Sequence, residues 1–196
     1  MTLFTTGEGN TPLSADEQAD LIPNLATKDE LNEWERANIL SAYDWALSPR
    51  TLRRNDPMTE AYLRDLHHRM FDQTWKWAGL YRATEKNIGI PHYAIREALA
   101  ALLGDARYWL EHRTFPPDEI AIRLHHRLVF IHPFANGNGR HGRLMADVLA
   151  SRQDRPVFTW GRANIVQHGD FRRTYIDALR AADHKDIKPL LTFARS

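Results

Sequence analysis

The chain has 196 residues, 43% of them hydrophobic, with 26 Lys and Arg against 25 Asp and Glu, a formal net charge of +1 and no cysteine. That length and apolar content suffice for one domain with a proper core, while the balanced, mixed charge removes the electrostatic case for direct nucleic-acid or membrane binding. Absent cysteine rules out disulfides and thiolate metal sites, and with neither a leader-like N-terminus nor a run of about 18 apolar residues, a cytoplasmic protein is expected.

Residues 1–26, punctuated by Gly7, Gly9, Pro12 and Pro23, read as an irregular N-terminal arm. Residues 27–57 read as an N-terminal helix and a connection. Thr27 and Glu30 form a capping box, Leu31, Trp34, Ala42 and Trp45 follow at helical spacing, and Ser48-Pro49 ends the helix. Residues 58–196 read as the core and C-terminal helices. Asp56 or Thr59 caps a helix whose stripe is Leu63, Leu66 and Met70. From residue 73 to 93 apolar residues alternate with polar ones around Gly79, Gly89 and Pro91, which predicts a short hairpin. A helix from about Tyr93 to His112 carries Gly104 at some cost. The next, Asp118 to Ile131, is apolar nearly all round and therefore central. Pro156 breaks the helix after Leu149, Asp170 caps another carrying Phe171, Tyr175 and Leu179, and Asp186 to Phe193 is a short last helix. The fold class is an all-α bundle with one small β-hairpin.

The segment from His132 to Arg143 reads His-Pro-Phe-Ala-Asn-Gly-Asn-Gly-Arg-His-Gly-Arg. Pro133 restricts His132 to an extended backbone and ends the incoming helix. Gly137 and Gly139 allow backbone N–H groups to form a nest that opens into a helix start, and such a nest binds anions, phosphate above all. Arg140 and Arg143 sit three apart beside Asp147, which suits a ligand with several phosphates. His132 is placed to take a proton from a nucleophile attacking that phosphate. The bland alternative is a mere turn between helices. The embedded G-x-G-x-x-G of Gly137, Gly139 and Gly142 is no dinucleotide fingerprint, because a helical pattern precedes it and no acid follows at the required distance. The paired histidines His67-His68 and His125-His126 point to different faces, so neither pair chelates one metal; they read as solvated or core residues. On the residues alone, the phosphate chemistry stays open.

This stretch resembles the signature of the Fic family, H-P-F-x-[D/E]-G-N-G-R-x-x-R, and departs from it only where Asn136 replaces the acid. The segment Met58 to Phe71 and the run Trp77-Ala78-Gly79-Leu80-Tyr81-Arg82 resemble the first core helix and flap of Fic domains, and nearly the whole chain resembles a bacterial subgroup called mobile mystery protein B. The resemblance implies a Fic-type helical bundle that moves AMP from ATP onto a Ser, Thr or Tyr hydroxyl of a target protein. It implies His132 as the base, Asn138 and the amides of Gly137 and Gly139 on the α- and β-phosphates, and Arg140 and Arg143 on phosphate, Arg143 on the terminal one. Phe134 would anchor the loop. Position 136 would hold Mg²⁺, and an uncharged Asn136 implies a weak metal site. The alternatives are a nucleotide- or partner-binding protein with weak or lost turnover, and kinase-type transfer of the terminal phosphate. Residues 79–91 would be the flap that holds an extended piece of the target. The subgroup suggests the toxin-like half of a mobile gene pair with a DNA-binding, antitoxin-like companion. The family's inhibitory pattern [S/T]-x-x-x-E-[G/N] is not matched, yet the helix from Thr27 offers Glu33 and Glu35 as candidates to pair with Arg143.

Overall fold

A computed structural model describes residues 12–161 and 168–196. Among them lie α1 (Ala15–Ala19), α2 (Lys28–Ala46), α3 (Pro49–Arg54), α4 (Glu60–Phe71), α5 (Ile95–His112), α6 (Pro117–Ile131), α7 (Asn138–Arg152), α8 (His168–Asp183) and α9 (Lys188–Arg195). The described residues contain no strand, so the mostly helical class stands. No helix among them is long and apolar enough to cross a membrane.

Four elements differ from the sequence-based expectation. Part of the arm is helical: Ser14 and Glu17 form a capping box that starts α1; residues 1–11 lie outside the described residues. The connection after α2 is α3, because Ser48 accepts the Thr51 N–H and Pro49 occupies the first helical position, where its missing N–H costs nothing. Residues 79–91 form no hairpin. Their one bridge joins Tyr81 to Phe134. The physical reason is Arg82, whose guanidinium donates to the carbonyls of Thr84 and Ile90 and so takes acceptors that a strand partner would need. Asp170, expected as a cap, falls inside α8.

α6 and α7 pack along one another at the centre, with Leu124, Leu128, Leu144, Met145 and Val148 buried between neighbouring helices. α2 lies across α4. Its Asn38 donates to the Arg69 carbonyl at 2.9 Å and accepts the Gln73 N–H at 3.0 Å, satisfying the end of α4. Trp34 of the same helix remains 46% exposed, so it is not a core residue. At the other end α9 grips the start of α6 through Arg195 and Asp118, 2.6 Å apart.

Gly104 sits in α5 with open space where a side chain would go. Gly104→Ala is therefore expected to stabilise the fold by about 0.5–1 kcal/mol, read as a higher midpoint in urea; an unchanged or lower midpoint contradicts this.

Candidate active site

α6 ends at Ile131, as the following proline predicts, but His132 is not extended. It adopts a left-handed backbone, φ 56° and ψ 59°, while its N–H still closes onto the Leu128 carbonyl. That conformation costs on the order of 1–3 kcal/mol for a non-glycine residue, so its surroundings must impose it. Arg82 does so from the 79–91 segment. Its Nε donates to the His132 carbonyl at 2.7 Å and its backbone N–H to the Pro133 carbonyl at 2.9 Å. Gly89, at φ 95°, lies directly over the histidine: a Cβ there would come within 2.5 Å of the His132 Cβ. The sequence places both residues in the segment that resembles the flap but gives neither a role at His132. Nothing in the pattern sets Arg82 apart from a solvated arginine, and Gly89 read only as turn punctuation.

His132 is buried, and burial pushes its pKa down to about 4. A hydrogen bond to the Val129 carbonyl opposes that shift, and the charges of Arg82 and Lys86 reinforce it. The ring is thus neutral at pH 7. A neutral imidazole carries a proton on one nitrogen and a lone pair on the other. Lys86 is itself covered by the N-terminal arm, where it pairs with Glu17 and donates to the Pro12 carbonyl.

The loop after His132 is held from within. The Phe134 ring is fully buried. Asn138 accepts the Phe134 N–H and donates to the Phe134 carbonyl, both at 2.9 Å, so its side chain is spent on the loop's own backbone. Gly137 begins α7 at φ 79° and touches Phe71, whose ring atoms would lie 2.5 Å from a Cβ. Asn136 turns its side-chain oxygen onto the Gly137 N–H at 2.6 Å. Its candidate metal-binding oxygen and one amide of the nest therefore occupy each other.

The two motif arginines diverge. Arg140 lies over the Phe71 ring and meets Glu35 of α2 at 2.5 Å; Glu35 also accepts the Trp75 Nε1–H at 2.8 Å. Glu35 is thus one of the two acids singled out in the sequence, but it holds the first arginine and not Arg143. Glu33 is exposed beside Arg36. Arg143 lies over the Tyr175 ring, 5.5 Å from its centroid, and the Tyr175 hydroxyl meets His125 Nε2 at 3.0 Å. Asp147 is buried and not a surface ion pair. It accepts from the Phe158 N–H, the Trp160 Nε1 and the Tyr43 hydroxyl, and burial raises its pKa to about 6 despite these bonds and the nearby Arg143 charge.

Burial also holds His125 near 3 and His141 near 4. A buried neutral histidine stabilises the fold fully above its unfolded pKa of about 6.5, and that contribution is lost as pH falls through the folded value. Asp147 acts in reverse, its contribution being lost as pH rises through about 6. The histidines outnumber it. The melting temperature is expected to fall between pH 6.5 and 4 in a thermal scan; a rise over that window contradicts these assignments.

With this geometry in place, residues 57–150 match the family model described as Fic/DOC family. Over that stretch, just under half of its length, the chain is similar to the Fic/DOC family. "Protein adenylyltransferase Fic" of Aedes aegypti is 27% identical over 194 residues, covering 95% of this chain and 37% of that protein. The chain thus spans little more than a third of the length of that curated relative. Among solved structures, Fic-1 from C. elegans superposes with a TM-score of 0.62 at 23% identity, covering 91% of this chain and 51% of that one. BepC from Bartonella tribocorum, with bound AMPPNP, gives 0.63 at 18% identity, covering 93% and 97%. These likenesses show the helical fold.

Proposed function

We propose that this chain is a Fic-type protein adenylyltransferase that moves AMP from ATP to a Ser, Thr or Tyr hydroxyl of a target protein. The hydroxyl oxygen attacks the α-phosphorus, its proton passes to the unprotonated nitrogen of the neutral His132 ring, and the bond to the leaving pyrophosphate breaks. The observation that carries this reading is a neutral His132 at the mouth of a glycine-rich helix start, within a signature that falls inside the matched domain. The amides of Asn138 and Gly139, and that of Gly137 once phosphate displaces the Asn136 side-chain oxygen from it, bind the α- and β-phosphates, with the Asn138 side chain keeping the loop in shape. Arg140 and Arg143 bind the outer phosphates. Relatives named adenylyltransferases and a neighbour with bound AMPPNP support the choice of ATP. Residues 79–91 hold the target, offering main-chain groups to an extended segment without demanding one sequence.

The residues present do not fit a tightly held Mg²⁺. Asn136 offers one neutral oxygen already bonded to an amide, and no group of three metal-ligating side chains occurs among the described residues. Any Mg²⁺ arrives on ATP itself. The same observation, together with the Glu35–Arg140 pair, favours a second reading: a nucleotide- or partner-binding protein with weak turnover. The chain is further proposed to belong to the mobile mystery protein B subgroup, to act with a DNA-binding, antitoxin-like companion and to reside in the cytoplasm. These readings rest on the signature and its flanking residues, and on composition for the last.

Incubation with lysate and ATP labelled on the α-phosphate tests the main reading, which requires label in protein. Label from the γ-phosphate alone means kinase-type transfer. ATP binding in calorimetry, unaffected by Mg²⁺ and without label in protein, selects the second reading.

A further inference from the structure

The imidazole of His67 takes part in none of the steps above, yet it touches both halves of the site. It is wholly buried on α4. Its Nδ1 accepts the Gly79 N–H at 2.9 Å. An amide N–H only donates, so Nδ1 carries no proton and the neutral ring keeps its hydrogen on Nε2. Nε2 faces the Asn136 carbonyl at 3.1 Å, which only accepts. The two partners therefore select one tautomer. Burial, the largest cause, holds the pKa of His67 well below the ordinary histidine value. The ring also lies flat on Phe134, centroids 3.6 Å apart and planes 14° apart, which fixes its tilt beneath the loop.

Each bond acts on a different part. The Asn136 carbonyl and the Gly137 N–H belong to one trans peptide and point in opposite directions. Holding the carbonyl from below fixes the direction of that N–H, which the Asn136 side-chain oxygen accepts at 2.6 Å and which an anion must take over from it. The other bond holds the first residue of the 79–91 segment. Neighbouring side chains of α4 hold the same place, with Arg64 donating to the Gly79 carbonyl at 2.9 Å and His68 Nδ1 lying 3.2 Å from the Ala78 carbonyl.

We propose that His67 is a positioning residue that sets the Asn136–Gly137 peptide and the root of the 79–91 segment from one ring. The anion-binding amide and the target-holding segment are then registered against each other, although the sequence separates them widely. The consequence for nucleotide binding rests on the proposed function; the tautomer and the two bonds do not.

Two variants separate the two grips. His67→Gln places an amide NH₂ near the Nε2 position and keeps the hold on Asn136. His67→Asn places an oxygen near the Nδ1 position and keeps the hold on Gly79. Long-range ¹H–¹⁵N correlation on the unmodified protein comes first and needs no variant: His67 is expected as the neutral Nε2–H tautomer at pH 7, and an Nδ1–H tautomer or a charged ring overturns the proposal. Next, ATP affinity by calorimetry and Gly79 amide exchange by NMR are compared. His67→Asn is expected to weaken ATP binding about tenfold, the worth of one hydrogen bond, with Gly79 still protected. His67→Gln is expected to speed Gly79 exchange by a similar factor and to leave ATP affinity near that of the parent. Both variants changing both readouts alike would make His67 a packing residue only. If the parent binds ATP but transfers nothing, the transferase reading fails while this comparison stands.

Discussion

His132→Asn is expected to reduce AMP transfer by about 10²–10⁴-fold, the usual contribution of a positioned general base, while leaving ATP affinity within about twofold. Asparagine is the informative replacement because it tolerates the left-handed backbone that His132 adopts. It therefore removes the base without releasing the strain that Arg82 and Gly89 impose. The side-chain amide has no basic nitrogen, so nothing accepts the proton of the attacking hydroxyl. The low pKa of His132 adds a second signature. Its acid limb in a pH–rate profile is expected near 4, not near 6.5, since burial already favours the neutral ring. Full transfer by His132→Asn, or an acid limb near 6.5, counts against His132 as the base.

Glu35→Ala is expected to act in the opposite direction, tightening ATP binding by about tenfold, the worth of one charge-assisted hydrogen bond. Glu35 is nearly covered and holds Arg140 at 2.5 Å, so a phosphate must displace a carboxylate to reach that arginine. Removing the acid leaves the guanidinium free above Phe71. The variant also loses the acceptor for the Trp75 Nε1–H, so it is expected to be less stable by about 1 kcal/mol. Glu33→Ala serves as the control, because Glu33 meets only Arg36 on the exposed surface. Calorimetry with ATP reads both. Equal affinity in Glu35→Ala and the parent protein would show that the Glu35–Arg140 pair does not compete with phosphate.

These two residues also mark how far the sequence carries. His132 was legible because its signals are local: an apolar helix stops at a proline and glycines open the next helix within a few residues. Thr27, Thr59 and the start of α7 were legible for the same reason, since caps and turn residues act on their neighbours. Contacts across long separations were not. Glu35 lies 105 residues from Arg140, and helix periodicity singles out acids on α2 without choosing which arginine they meet. Arg82 is 50 residues from His132. It reads as an ordinary polar residue until folding buries its guanidinium among carbonyls, and that burial also replaces the expected hairpin. The backbone of His132 shows the same conflict. The local rule for a residue before proline favours extension, and the grip of Arg82 and Gly89 overrides it.

Single-turnover labelling from ATP carrying its label on the α-phosphate, run side by side on the parent protein, His132→Asn and Glu35→Ala with the same lysate and subsaturating ATP, tests the account most directly. The account predicts the most label for Glu35→Ala, less for the parent, and none above background for His132→Asn. Equal labelling by the parent and His132→Asn, or no α-label from any of the three, would contradict it.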